Sequence, residues 1–511
     1  MKISRLALGL AAAALTLGTA SAGLARDLTV AINAPILTLD PGFDGGSSGT
    51  AFNVQAFETL LSHDAATGEL LPHLATEWSV AEDGVTWTFS LREGVTFHNG
   101  NPFTAQDVVA TFSRLIDPNS GLARGRDLRM ISEMEAIDDH TVKIVTQAPS
   151  GIFLRNLSLD SASILDAETI EQFGGDMTWN ANGTGPYAYA SHVAEESVTL
   201  SRFDGYWGDA SEAETITFRS VPEANTRLLM LESGEVDIVA EVPGFEAERL
   251  DAIDGLAIQT APVTFVMHVG MNTTAEPFDN PLVRRAINHA IDREAITLGL
   301  LRGLGTPATT IVAPNVFGFS DIDLYPYDPE KAKALLAEAG YPDGLTVKFW
   351  APQGRYFMDR EVAIAVQSQL AEVGITADVQ IFDWATYVDV VTQPQDSTEL
   401  TMYLLGWAAT SGDIQFVLDR VFDANNLPPD GWNTMFYQSE DAEALRQQIA
   451  SEVDVDTRRE AAHKLQEVIM TDAPWAPLYS SMQVSAFKDD ISGIETMLNG
   501  ALKLTNVTIA E

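Results

Sequence analysis

A chain of 511 residues without one cysteine has to hold itself together by packing and hydrogen bonding alone. No disulfide can staple it, no lipid can be attached to a mature N-terminal cysteine, and thiol nucleophiles and cysteine-ligated metal sites are excluded. The restriction matters because residues 1–25 read as a secretory leader. Lys2 and Arg5 form a basic head, Leu6 to Leu17 an apolar run, and Ala20-Ser21-Ala22 or Gly23-Leu24-Ala25 a small-residue cleavage site. The run falls well short of the ~20 residues that a membrane-spanning helix needs. The expectation is a periplasmic, monomeric protein, free rather than lipid-anchored, with no direct membrane insertion.

Acidic residues number 72 against 30 Lys and Arg, a formal charge of −42. Such a chain does not bind nucleic acid by phosphate neutralisation, nor anionic headgroups electrostatically. The acids are spread rather than clustered, which reads as solvation. At 46% hydrophobic and 20% charged the composition is globular, and the length implies two or three domains.

Residues 27–270 carry short alternating strands such as Thr86 to Leu91, Thr141 to Val145 and Val198 to Phe203. Thr104 with Asp107 forms a capping box before a helix whose stripe is Val108, Val109, Phe112, Leu115 and Ile116. Residues 271–477 alternate helix and strand. Asn280-Pro281 and Asp328-Pro329 are cap-plus-proline helix starts. A strand at 347–350, a helix from about Asp359 to Val373 stopped by Gly374, and a strand at 376–382 make a βαβ unit, which requires a parallel sheet. The fold class is α/β.

Motifs for catalysis are weak. The eight histidines show no metal-ligand spacing, so no metal and no cofactor is expected. Gly45-Gly46-Ser47-Ser48-Gly49 matches the nucleophile turn of a serine hydrolase, but Asp40-Pro41-Gly42-Phe43-Asp44 before it reads as a turn where a strand is required.

Residues 71–118 carry the most specific pattern: Leu71 to Trp78, Asp83 to Phe89, Leu91-Arg92-Glu93-Gly94-Val95-Thr96-Phe97-His98-Asn99-Gly100, then Phe103 to Val109. With Gly183-Thr184-Gly185-Pro186-Tyr187, Tyr206-Trp207-Gly208, Ser233 to Ile238, Ala290-Ile291-Asp292-Arg293 and Asp472-Ala473-Pro474-Trp475, it resembles the family 5 solute-binding proteins of ABC importers, which include dipeptide-, oligopeptide-, nickel- and glutathione-binding members. The resemblance implies a two-lobed periplasmic-binding-protein fold with ligand in the cleft. Lobe I would be 26–269 with an extra subdomain at about 46–180, lobe II 270–478, and 479–511 a return segment completing lobe I. It also implies a short peptide as ligand, ABC permease subunits as partners, and no enzymatic turnover.

By the same resemblance, the strand ending in Gly406-Trp407 lines the cleft. Peptide-binding relatives place an amine-binding aspartate three residues after that tryptophan; here the residue is Thr410, whose hydroxyl cannot compensate a desolvated ammonium. Asp413 is the substitute candidate, its alternative being a helix cap. Arg355, in Gly354-Arg355-Tyr356, is the candidate for a ligand carboxylate, its alternative a salt bridge to Asp359. The loop with Gly45, Gly46 and Ser47 would offer backbone N–H groups, and Tyr356, Trp384 and Trp407 the walls, with core packing the rival for Trp384. These patterns look most like the glutathione-binding branch; an oligosaccharide, an opine or a nickel chelate are the other ligands served by such a fold.

Overall fold

Successive side chains of a strand point to opposite faces, and here both faces are apolar. In Arg26–Ile32, Leu28, Val30 and Ile32 enter one core while Ala31 enters another. In Met402–Ala408, Tyr403 and Leu405 face one core, Met402 and Leu404 a second. Strands buried on both sides belong to a sheet covered by helices on each face. The computed structural model describes residues 26–43, 46–64, 67–209 and 211–510, with nothing described of the side chains of 46 and 47; the leader falls outside these.

One eleven-stranded sheet runs through the molecule. Its order is 375–383, 345–353, 402–408, 256–271, 475–488, 238–239, 26–32, 213–220, 197–202, 187–193, with 305–307 added alongside 475–488. The βαβ unit forms as expected: Leu345–Gln353 and Ile375–Asp383 pair in parallel from Leu345↔Ile375 to Gln353↔Asp383. The connecting helix Asp359–Glu372 buries Val362, Ala363, Val366 and Leu370. Caps fix where helices begin. The Asn280 side chain accepts from Leu282 N at 3.0 Å, Asp328 from Lys331 N at 2.9 Å, and the Thr104–Asp107 capping box is present. In Pro281–Ala290, Val283, Ala286, Ile287 and Ala290 then form the buried stripe of an amphipathic helix.

A separate four-stranded antiparallel sheet, 75–80, 86–91, 141–146 and 131–138, packs Trp87, Phe89, Val142 and Ile144 against the helix Ala105–Ile116. The glycines of Gly183-Thr184-Gly185 are steric requirements. A Cβ at Gly183 would lie 2.2 Å from the Ala56 carbonyl oxygen, and one at Gly185 2.6 Å from the Gln55 oxygen.

The molecule has two lobes. Strands 375–383, 345–353 and 402–408 lie in one, 238–239, 26–32, 213–220, 197–202 and 187–193 in the other. The long antiparallel pair Leu256–Met271 and Trp475–Lys488 runs through both, and its register breaks between Pro262↔Met482 and Val266↔Ser480. Val269 and Gly270, the expected crossing, pair with Leu404 and Tyr403 in the second lobe. Beyond the long pair, the chain doubles back in two short hairpins, 491–492 with 508–509 and 495–496 with 502–503. The lobes touch where Gly151 N donates to the Ala450 carbonyl at 2.9 Å.

Acid should weaken this fold before it protonates carboxylates. Burial pushes His63 and His98 down to about 4, and His268, stacked on Trp475 at 3.5 Å, to about 3. The folded state holds these rings neutral, whereas the unfolded chain protonates them near 6.5. The stabilisation is therefore complete above about pH 6.5 and is lost as the pH falls towards 4. Each histidine costs up to about 1.4 kcal/mol per pH unit in that window. Urea midpoints should drop between pH 7 and 5; a flat profile over that range contradicts the assignment.

Candidate ligand-binding site

Ligand sites in α/β sheets form beyond the carboxyl ends of parallel strands, and three such ends meet here. Asn33 follows 26–32, Glu241 follows 238–239, which pairs with 26–32 in parallel, and Thr410 follows 402–408, which pairs with 345–353 in parallel. All three line a cavity of about 810 Å³, within the ~300–1,000 Å³ usual for small-molecule sites. One wall is the helix Gly46–Ala56 through Ser48, Thr50 and Asn53, and another is the segment carrying Arg124, Arg126 and Asp127. The second lobe contributes Thr410, Ser411, Phe416, Asp419 and Arg420; the return segment closes the cavity with residues 497–503.

Most of the charge on these walls is already engaged. Arg124 grips Asp160 with two bonds of 2.8 and 2.5 Å, and Thr50 adds a third at 3.0 Å. Burial opposes the Asp160 carboxylate, but Arg124, the Thr50 hydroxyl and the Asn53 amide at 3.3 Å outweigh it and hold the carboxyl below its usual range. Glu58 likewise pays no net cost of burial: His73 at 3.1 Å, Trp207 and Thr184 at 2.8 Å and Tyr206 at 3.1 Å all reach it and keep its carboxyl low. Asp419 binds Arg446 at 2.6 Å and Gln415 at 3.0 Å. Arg126 and Asp127 are 3.7 Å apart.

Arg420 differs. Its guanidinium lies 4.4 Å above the Phe416 ring and has no ion pair among the described residues. Burial, then repulsion from Arg126, lowers its pKa against the attraction of Asp127 and Asp419. A desolvated guanidinium in a cavity wall is a ready partner for a carboxylate.

The residues singled out from the sequence divide into three groups. Thr410 lines the cavity. Arg355, Tyr356 and Trp384 stand together at the end of strand 345–353, outside the cavity lining: the exposed Arg355 guanidinium lies 4.9 Å over Trp384 and 5.5 Å over Tyr356. The alternative reading of Arg355, a salt bridge to Asp359, is not among the ion pairs of the described residues. The Asp359 carboxylate instead accepts the backbone N–H groups of Gly354, Arg355, Tyr356 and Arg360, closing the loop into the helix that follows. Trp384 stacks on Tyr387 at 5.9 Å, and Trp407 packs edge-on to Trp432 at 5.5 Å, also outside the lining. Gly406 is needed because Phe265 crosses it: a Cβ there would sit 1.9 Å from the ring.

Asp413 is 1% exposed. It caps the short helix Ile414–Val417 through Gln415 N at 2.9 Å and forms a two-bond ion pair with Arg458 at 2.7 and 2.8 Å. Both of its carboxylate oxygens are buried and engaged by these donors, so the capping alternative describes it. Gly45 lies outside the described residues; Gly46 and Ser47 begin the helix whose next residues line the cavity. Asn33, Glu241, Arg420 and residues 497–503 were not anticipated from the sequence.

Two α/β lobes joined by a pair of long strands, with a cavity of mixed charge between them, define a receptor that captures a small solute. The model of the bacterial extracellular solute-binding proteins, family 5, matches residues 69–428, and the chain belongs to that family. It is 32% identical over 493 residues to the glutathione-binding protein GsiB of Escherichia coli K12, covering 96% of this chain and 95% of that one. Among solved structures, HbpA2 from Haemophilus parasuis superposes with a TM-score of 0.85 at 26% identity, covering 95% of this chain and 100% of that one. DppA from Helicobacter pylori in complex with the peptide STSA gives 0.70 at 27% identity, covering 95% and 98%.

Proposed function

We propose that this protein captures a short peptide of the glutathione type between its lobes and presents it to the permease subunits of an ABC importer. The observation that carries the reading is the cavity itself, with Glu241 and Arg420 as wall charges of opposite sign and with its volume of about 810 Å³. Kinship to a glutathione-binding protein over nearly the whole chain supports it, as does a peptide-bound structural relative. Arg420 takes a ligand carboxylate. The protein acts without turnover, as a periplasmic monomer released from its leader and carrying no lipid. Lobe movement pivots on 262–266 and the facing 480–482, where the register of the long pair breaks, a few residues before the crossing drawn from the family likeness.

A thermal-shift panel on ligand-stripped protein tests this, with glutathione, di- and tripeptides, opines and oligosaccharides as probes. Ligand at 100 times its Kd stabilises by about 2.7 kcal/mol, so a clear rise in Tm is expected with glutathione or a peptide. A shift with an oligosaccharide or opine alone would keep the fold and overturn the ligand.

A further inference from the structure

We propose that Glu241 is the residue that reads the ligand's ammonium group, taking from the first lobe the part that Thr410 of the second cannot play. The inference rests on the peptide reading above and names the residue that makes it specific for a free amine.

The argument is one of charge accounting. Five described carboxylates line the cavity: Glu58, Asp127, Asp160, Glu241 and Asp419. Asp127, Asp160 and Asp419 each have an arginine within 4 Å, Arg126, Arg124 and Arg446 in turn, and Glu58 has the His73 imidazole at 3.1 Å. Glu241 has no such partner among the described residues. One of its oxygens accepts from Asn33 Nδ2 at 2.6 Å; the other has no donor among the described residues. The cation whose charge it feels, Arg227, turns its guanidinium to backbone carbonyls, those of Val221 at 2.8 Å, Pro222 at 3.0 Å and Glu241 itself at 3.3 Å. It lowers the Glu241 pKa less than burial raises it.

A half-buried carboxylate with a fixed, unfilled oxygen is costly without a cation. It is inexpensive when a ligand brings one. Asn33 orients the group from the end of the neighbouring parallel strand, as a positioning residue does. Elsewhere in the lining, Arg420 and Lys503 have no ion pair among the described residues. Negative on the first-lobe sheet and positive elsewhere, the unmatched wall charges fit a zwitterion with one ammonium and more than one carboxylate. Because Glu241 accepts from the amine itself, an acylated amine loses both the charge and the donors that the site reads.

The test is calorimetric titration of a matched pair, glutathione and N-acetylglutathione, into the full-length mature protein and its Glu241→Gln variant, with trialanine and N-acetyltrialanine as a second pair. The wild type should prefer the free amine, and Glu241→Gln should weaken the free-amine member by about 30-fold or more while leaving the acetylated member nearly unchanged. Equal effects on both members, or none, overturn the role of Glu241 and leave the peptide reading standing. Wild-type protein that binds neither free-amine probe overturns both. If Glu241→Gln does not fold, Asn33→Ala carries the same comparison, with a smaller selective loss expected for the free-amine member and an equal loss for both members counting against the proposal.

Discussion

Asp413→Asn should lower the stability of the protein by about 3–5 kcal/mol, read as a large drop in the urea midpoint, with ligand affinity little changed in the molecules that remain folded. The reason is what surrounds the carboxylate. Arg458, 5% exposed at its side chain, gives it two hydrogen bonds and a third to the Ile449 carbonyl. Arg155, also buried, is close enough to feel the same charge: burial pushes its pKa down to about 10, Asp413 pulls it back, and Arg458 and Arg459 repel it. Without Asp413, the repulsion between these buried guanidinium groups loses the carboxylate charge that offsets it. Unchanged stability together with lost ligand binding would return Asp413 to the role of amine clamp.

Arg420→Ala should weaken glutathione by about 2–5 kcal/mol, because truncating one member of a desolvated charge pair leaves the other unpaired. Arg355→Ala provides the contrast. Its guanidinium is exposed and rests on Trp384 and Tyr356, an arrangement worth about 0.5–1 kcal/mol, so the affinity should move by less than about 1 kcal/mol. Titration of the two variants separates the assignments. A large loss in Arg355→Ala with a small one in Arg420→Ala would restore the residue that the family likeness picked out.

What could be read from the sequence was whatever depends on neighbours along the chain. The caps at Asn280, Asp328 and Thr104 and the βαβ unit are local patterns, and they appear where the spacing put them. Asp413 was legible as a helix cap for the same reason. Its partner Arg458 lies 45 residues away, so its engagement was not legible. Glu241 was hidden among 72 acidic residues, since nothing in a sequence says which carboxylate lacks a cation. Arg420 lies in the helical turn 418–422 and Arg355 just after a strand, and neither position tells which one the fold turns towards the cavity and which it leaves on an aromatic shelf. The signal that was available is positional: Asn33 comes directly after, and Glu241 two residues after, a short strand in the middle of the sheet.

The hairpin at 495–503 has a consequence in time as well as in space. Its turn supplies part of the cavity wall, and Gln55 of the first cavity helix bonds to Leu502 and Leu504 across more than four hundred residues of chain. A contact of such long sequence separation closes more slowly than the local pairings of the four-stranded unit. Solute capture therefore follows the folding of that unit in time.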